Sequence, residues 1–517
     1  MSVTGPPVMG PPVVGPPGTV RRASAVSAAL SRNRLGMWPL VFVAMAGAAP
    51  LLVVAGSATT GFAVTGFIGV PVCYLAVAAI LAVFSAGYTA MARHIVNAGS
   101  FYAYVSHGLG KAWGVGAAFI ALLAYNALQV SMFGAFGVGA SVMAATLFGW
   151  SMPWWLCALA GWALVAVLGV RRVDLSGRVL TVLLLAEIAV VVVFDVVLVA
   201  HPVDGQVSYA ALSPVLLLSA GAAALLVGGL AGFAGFEVTT VHAEEARDPR
   251  RTVPRATYTA LAVIGVLYGV SAWAMTVNTG PDGIVPAAQE YGTELFFVLA
   301  GPYVPGWLLD AGQLLFVTSL FAALLAFHNT VSRYVFALGR EKVLPARLGR
   351  TSRRTGAPKF ASLTQSGLAL GVVVLFAVTG WHPITGLFFV GGVGGGFGVL
   401  LLMALTSVAV VKFFHRHTAT ESVWRTRVAP ILAALVLTVI LAATVAEFAA
   451  LLNVPDTHPL RWLVPGAYAL ALVAGTGWAL LLRATRPHVW AAIGLGADAA
   501  ATTAGLIPDR FDETRTR

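Results

Sequence analysis

Apolar runs of about twenty residues, each long enough to cross a bilayer as a helix, recur along almost the whole chain. They fall near 37–57, 68–92, 112–144, 153–170, 179–200, 213–242, 256–278, 307–338, 360–380, 385–411, 428–450 and 461–482, twelve in all. In hydrocarbon only helices and closed barrels satisfy their own backbone, and runs of this length specify helices. The expected fold is therefore an all-α polytopic membrane protein. Composition agrees, with 59% hydrophobic and 10% charged residues and a mean hydropathy of +0.88, where a soluble domain carries about 25% charged residues.

The net charge of +11 could suggest nucleic acid as a partner, but the positions of the cations give a plainer reading. With the N-terminus inside, Arg21, Arg22, Arg32 and Arg34 precede the first span; Arg93 and Lys111, then Arg171, Arg172 and Arg178, occupy the next even-to-odd loops. Arg247, Arg250, Arg251 and Arg255 follow span 6, the run from Arg340 to Lys359 follows span 8, and Lys412, Arg416, Arg425 and Arg427 follow span 10. Of the 31 Lys and Arg residues only Arg333 and Arg461 fall outside the expected cytoplasmic segments, which include the C-terminal tail. The bias predicts a multi-pass protein of the cell membrane with both termini cytoplasmic, and no nucleic-acid partner. Residues 1–36, with their GPPVMGPPVVGPPG tract, read as a disordered cytoplasmic tail, and 483–517 as a cytoplasmic C-terminal tail. Cys73 and Cys157 read as buried free thiols. CxxC, HExxH, P-loop and zinc spacings are all missing from the sequence, so neither an ATP-driven pump nor a metal enzyme is expected.

Spans 1 and 6 differ from their neighbours. Span 6 contains Gly228, Gly229, Gly232 and Gly235, followed by the acid Glu237. Span 1 contains Gly47-Ala48-Ala49-Pro50, and Pro50 has no N–H to give the carbonyl four residues back. Non-helical backbone at membrane depth must line a cavity or be buried in protein. Two such breaks five spans apart suggest an inverted repeat whose breaks meet near the midplane, where secondary transporters bind substrate.

Several motifs carry a family resemblance. FAGFE at Phe233–Glu237 with EEARDPRRTVPRA at Glu244–Ala256, the turn Asn97-Ala-Gly-Ser-Phe-Tyr-Ala-Tyr104, and Asn329-Thr-Val-Ser-Arg-Tyr334 with Phe336-Ala-Leu-Gly-Arg-Glu-Lys-Val-Leu-Pro345 resemble the amino acid/polyamine/organocation permease family. The resemblance covers about residues 37–482. It implies a five-plus-five inverted repeat, with repeat one about 37–200, repeat two about 213–411 and two further helices within 428–482. It also implies proton-coupled or exchange transport of amino acids or amines. The family's Gly/Ser-rich break in span 1 is replaced here by Ala48-Ala49-Pro50, which removes one backbone donor.

A zwitterion needs donors for its carboxylate and acceptors for its ammonium, and half-helix ends supply both. The substrate carboxylate is assigned to the backbone of Ala48, Ala49, Pro50 and Leu51, and the ammonium to carbonyls of Ala231, Gly232 and Phe233 beside Gly235. Phe233 and Phe236 are candidates to close over the solute, and Asn126, Gln129, His328 and Asn329 on spans 3 and 8 to complete the site. An acid in the bilayer costs about 2.5–3.5 kcal/mol on insertion scales, so each one is informative. Glu187, about nine residues into span 5 or roughly 13 Å, is the first candidate for proton coupling, and Glu237 the second. Arg333 is the one intramembrane cation available to pair with them, and Asp195 and Glu447 are expected to be solvated near the outer surface. The GGVGGG run at Gly391–Gly396 reads as a close-packing or flexing segment, and Glu244, Glu245, Arg247, Asp248, Arg250 and Arg251 as a cytoplasmic gate or docking network with the loop after span 8. The expected activity is secondary transport of an amino acid by proton symport or exchange, driven by the proton motive force or a solute gradient without a cofactor. An amine or polyamine carrier is the alternative, with a substrate-sensing receptor behind it and sodium as the other coupling ion.

Overall fold

The computed structural model describes residues 35–499, apart from 172, 353–354, 418–420, 453, 497 and 498. The Pro/Gly-rich tail, save Leu35 and Gly36, and the end of the C-terminal tail lie outside the described residues. Within them the regular elements are helices, with one isolated bridge between Leu35 and Ala246.

The first membrane segment is α1 (Met37–Ala48), α2 (Pro50–Leu52), a π-helical stretch Val53–Ala58 and α3 (Thr59–Thr65). Next come α4 (Val70–His94), the short α5 (Phe101–Gly108), α6 (Lys111–Phe148), α7 (Trp154–Gly169) and α8 (Val173–Ala200). The following segment divides into α9 (Ala220–Gly232) and α10 (Val238–Val241), and leads to α11 (Pro249–Thr279), α12 (Ile284–Tyr291), α13 (Leu295–Ala300) and α14 (Gly306–Arg340). The chain closes with α15 (Lys359–Thr379), α16 (Gly391–Arg416), α17 (Ala429–Ala446), α18 (Phe448–Leu451), α19 (Leu460–Thr485) and α20 (Pro487–Ala492). Pro50, Pro249 and Pro487 each open a helix, where the first N–H has no intrahelical partner to lose.

Ten helical segments among the described residues are long and apolar enough to cross a membrane, where the sequence reading expects twelve. The difference has two causes. Helix α7 is apolar but only 16 residues long. The run expected at 213–242 is not continuous: a 3-10 turn over Pro214–Leu218 precedes α9, and residues 233–237 leave helical geometry before α10.

Helix α6 is the central post, touching α5, α7, α14, α16 and α19, while α4 lies along α11. Lipid tails provide no hydrophobic drive between helices, so close approach of backbones does the work. Gly395 of α16 is such a point: a Cβ there would fall 2.5 Å from Leu128 Cγ and 2.9 Å from the Ala124 carbonyl oxygen, which agrees with the close-packing role expected of the glycine run. The periphery is apolar, with Val378, Val439 and Val473 exposed, as a surface facing acyl chains requires. Cys73 and Cys157 are buried and unpaired.

Part of the expected C-terminal tail is ordered. Helix α20 follows α19 after one residue, and the Gly494 and Gly496 amides donate to the Glu341 carboxylate at 2.8 Å each. Tyr102 also donates to Glu341, and Asn97 reaches the Gly494 carbonyl at 3.2 Å. The start of the α5 segment, the end of α14 and the residues after α20 are thereby tied together.

Candidate functional site

Two irregular turns lie side by side in the core. In the first, Ala49 adopts φ 44° and ψ 72° between α1 and α2, a left-handed conformation uncommon for a residue with a Cβ. In the second, Gly235 has φ +123°. The turns touch: a Cβ on Gly235 would fall 2.6 Å from the Gly47 carbonyl carbon and 2.7 Å from Ala48 N. Only glycine fits there, both in conformation and in space.

The groups freed by these turns are taken up largely by side chains of neighbouring helices. Tyr268 on α11 donates to the Ala48 carbonyl at 2.8 Å and lies 3.3 Å from the Gly232 carbonyl, so one hydroxyl bridges the two turns. Glu237 folds back on its own turn, accepting from the Gly235 amide at 2.9 Å and from the Tyr125 hydroxyl at 2.8 Å. Glu187 on α8 accepts the Leu51 N–H at 2.5 Å and the Ser319 hydroxyl of α14 at 2.8 Å. A carboxylate thus caps the N-terminus of the helix beginning at Pro50, where the dipole favours an anion, and joins three helices. The Leu51 donor assigned to a substrate carboxylate is engaged by Glu187 in this conformation.

A cavity of about 1040 Å³ begins at the turns, where Gly47, Ala48, Ala49, Ala231, Gly232 and Ala234 line it. Its walls include Val53, Tyr74, Leu128, Met132, Phe327 and Phe388. Along α6 the lining runs from Leu128 to Thr146 and along α14 from Gln313 to Phe327, so it occupies the halves of those helices away from Lys111 and Arg340. Glu294 and Glu447 are the acids among its lining residues.

The other end is sealed by buried ion pairs. Arg333 makes paired contacts of 3.0 Å to both Glu245 oxygens, with both side chains almost fully buried. Arg340 holds Glu244 at 2.6 and 2.8 Å, and Glu244 also accepts the Ala98 amide at 2.9 Å. Leu35 pairs with the same loop, its N–H donating to Glu245 O and its carbonyl accepting from Arg247 N, each at 3.0 Å. A cluster of Tyr88, Ser100 and Thr240 hydroxyls lies above, with Tyr88 and Thr240 each 2.5 Å from Ser100 and hydrogen-bonded to one another. Of the charged cluster expected here, Glu244 and Glu245 pair with Arg340 and Arg333, while Asp248 and Arg251 form only an exposed pair at 3.9 Å.

Other expected residues divide into two groups. Ala48, Ala49, Ala231 and Gly232 line the cavity, while Pro50, Leu51, Phe233, Gly235 and Phe236 are packed behind it. Phe233 packs against Tyr74 and, edge-on, against Tyr268 with centroids 6.4 and 5.3 Å away, and Phe236 edge-on against Phe84 at 6.3 Å; the aromatic residues lining the cavity include Tyr74, Phe327 and Phe388 but neither of these two. Asn126 and Gln129 both accept from Gln365 on α15, Asn126 at 2.7 Å, and Gln129 also meets His328 at 3.2 Å. Asn329 is half-buried, its carbonyl accepting from Arg333 at 3.2 Å. None of these polar groups is a cavity-lining residue.

Two expectations are corrected. Asp195 is buried, not solvated, because α11 packs over it and Ser271 donates to it at 2.7 Å. Arg333 pairs with neither Glu187 nor Glu237, because Glu245 takes its guanidinium. Glu447 is exposed and lines the cavity. Tyr268, Ser319 and Gln365 went unnoticed in the sequence; the signal available was a polar side chain inside an otherwise apolar span.

Known proteins resemble the chain in ways that fit this arrangement. The pattern of a family described as amino acid permease matches residues 40–481. Uncharacterized transporters of Mycobacterium bovis and Mycobacterium tuberculosis are each 29% identical over 180 residues, 35% of this chain and 37% of theirs. A branched-chain amino acid permease of Bacillus subtilis is 27% identical over 134 residues, 25% of this chain and 27% of its own. The aligned part thus spans well under half the length of these curated relatives. The family pattern runs from the start of α1 to the end of α19 and takes in both turns, the cavity and the sealed end, so the chain belongs to the amino acid permease family.

Proposed function

We propose that the chain is a secondary transporter that moves an amino acid with an apolar side chain across the cell membrane by alternating access, coupled to protons through Glu187. The observation that carries this reading is the cavity, which ends on two helix interruptions and is walled by Val53, Leu128, Met132, Phe327 and Phe388. Backbone groups at the turns suit the charged ends of an amino acid, and the walls suit an aliphatic or aromatic side chain. The branched-chain permease among its relatives is consistent with that substrate class. In this reading the chain crosses the membrane twelve times, counting α7 and the interrupted α9–α10 segment, its ten main helices form an inverted repeat, and both termini are cytoplasmic. The sealed Arg333–Glu245 end then faces the cytoplasm and the cavity faces outward.

Glu187 supplies the coupling. Hydrogen bonds to a charged group contribute about 1.5–3 kcal/mol against roughly 1 for a neutral pair. Protonation therefore weakens the link from α8 to Leu51 and Ser319 and frees the half-helix to move. An amine or polyamine carrier is the second reading; it needs a carboxylate where a second ammonium would sit, and the lining acids Glu294 and Glu447 lie away from the turns in sequence and in element.

The test is uptake into proteoliposomes of labelled leucine, isoleucine, phenylalanine, lysine, glutamate and spermidine. Saturable uptake of the first three that is not competed by lysine or spermidine is the expected result. Uptake confined to lysine or spermidine would overturn the substrate assignment, and a sodium gradient driving uptake in place of protons would overturn the coupling.

A further inference from the structure

A second groove, of about 590 Å³, opens on the periphery of the helix bundle between α16 and the segment leading into α17. Its lining is two facing stripes. Val408, Val411, Lys412 and His415 follow helical spacing on α16, and Arg427, Ile431, Ala434 and Leu435 follow it on the other side. Both stripes have the same polarity: cations at one end, aliphatic side chains along the rest. Val408, Ile431 and Leu435 are 47%, 46% and 62% exposed, so the apolar part faces the acyl chains. The basic end belongs to the loop after span 10, which the Lys/Arg bias assigns to the cytoplasm.

The basic side chains of the groove have no acidic partner among the described residues. Glu421 is the one acid between Lys412 and Val428, and it is engaged by Arg93 at 3.1 Å and by Arg425 at 3.3 Å. No hydrogen bond or ion pair holds the Lys412, His415 or Arg427 side chains among the described residues. Three basic groups converging at the headgroup end of a lipid-facing apolar groove need an anion that carries an acyl chain.

We propose that this groove binds an anionic phospholipid of the cytoplasmic leaflet, with its phosphate held by Lys412, His415 and Arg427 and one acyl chain lying along Val408, Ile431 and Leu435. Zwitterionic lipids fill the apolar part equally well but bring a compensating cation to the basic end. The selectivity therefore rests on the headgroup, and each basic residue near the surface contributes about a fivefold factor.

The test is lipid retention by the purified full-length chain, read by native mass spectrometry after exposure to phosphatidylglycerol and phosphatidylcholine of identical acyl chains. Wild type is expected to retain phosphatidylglycerol preferentially, and Lys412→Gln with Arg427→Gln to lose roughly 25-fold of that preference. Arg347→Gln with Arg350→Gln removes equal charge from exposed positions after α14 and is expected to keep it. Equal retention of both lipids by wild type would overturn the proposal, as would a preference that survives in the groove variant or disappears in the control. A lipid-insensitive dimer that the groove variant abolishes would assign the surface to a second copy and also overturn it. Melting temperatures of both variants establish that each is folded.

Discussion

At the scale of single residues, most of the account rests on groups that satisfy backbone left open by the two turns. Tyr268→Phe removes the hydroxyl that joins the Ala48 and Gly232 carbonyls. It is expected to cost about 1 kcal/mol in stability and to weaken apparent substrate affinity several-fold, measured by thermal melting and by concentration-dependent uptake. Gly235→Ala meets both a positive φ and a contact of 2.6 Å to backbone, so it should lower folded yield far more than Gly228→Ala, which meets nothing within 4 Å; size-exclusion profiles of the two variants check this. Glu187 stood out in the sequence because an acid in an apolar span is rare. Its partners could not, since Leu51 and Ser319 lie 136 and 132 residues away and nothing in local spacing brings them together. Asp195 shows the opposite error: its position near a span end suggested water, and only the packing of α11 over it reveals burial.

At the scale of elements, the sealed end joins the loop after α10 to α14. Breaking a buried pair leaves one charge without a partner and costs about 3–5 kcal/mol, while replacing both partners by apolar groups costs much less. Arg333→Met alone should therefore destabilise the protein more than Arg333→Met with Glu245→Leu, as measured by melting in detergent. Glu245→Gln is expected to shift the population toward the open cytoplasmic side, and unchanged cysteine labelling from that side would contradict the gate. The helices themselves were legible from hydropathy, as were the two interruptions, because proline and glycine act on local backbone. Helix α7 and the divided segment around α9 mark where the reading of length stops: both are apolar, but one is short and the other leaves helical geometry at residues 233–237. Asn126 and Gln129 stand on the same face of α6, as their spacing requires, but that face meets Gln365 and His328 rather than the cavity.

For the whole molecule, the proposed alternating access makes the turns, the cavity and the sealed end one conformation of its cycle, and the segment after α20 adds a clasp on the sealed side. Burial raises the Glu341 carboxyl above its ordinary range, although the Tyr102 hydroxyl, the Gly494 amide and the Arg340 guanidinium pull it down. A carboxyl raised in the folded state contributes most below its ordinary value of 4.5 and loses that contribution as pH rises through the raised value. Amide protection of residues 487–496, corrected for intrinsic exchange, should fall as pH increases over that window, and Glu341→Gln should flatten the profile. This docking had no signal in the sequence, where the region reads only as a short tail following the last span.

The central claim is that an amino acid crosses through the cavity while Glu187 binds and releases a proton. Its most direct test is uptake of labelled leucine into proteoliposomes with and without an inward proton gradient, for wild type and Glu187→Gln. The glutamine can still accept the Leu51 N–H, so the variant should fold and exchange leucine across the membrane but show no stimulation by the gradient. Gradient-stimulated uptake that persists undiminished in Glu187→Gln would contradict the account.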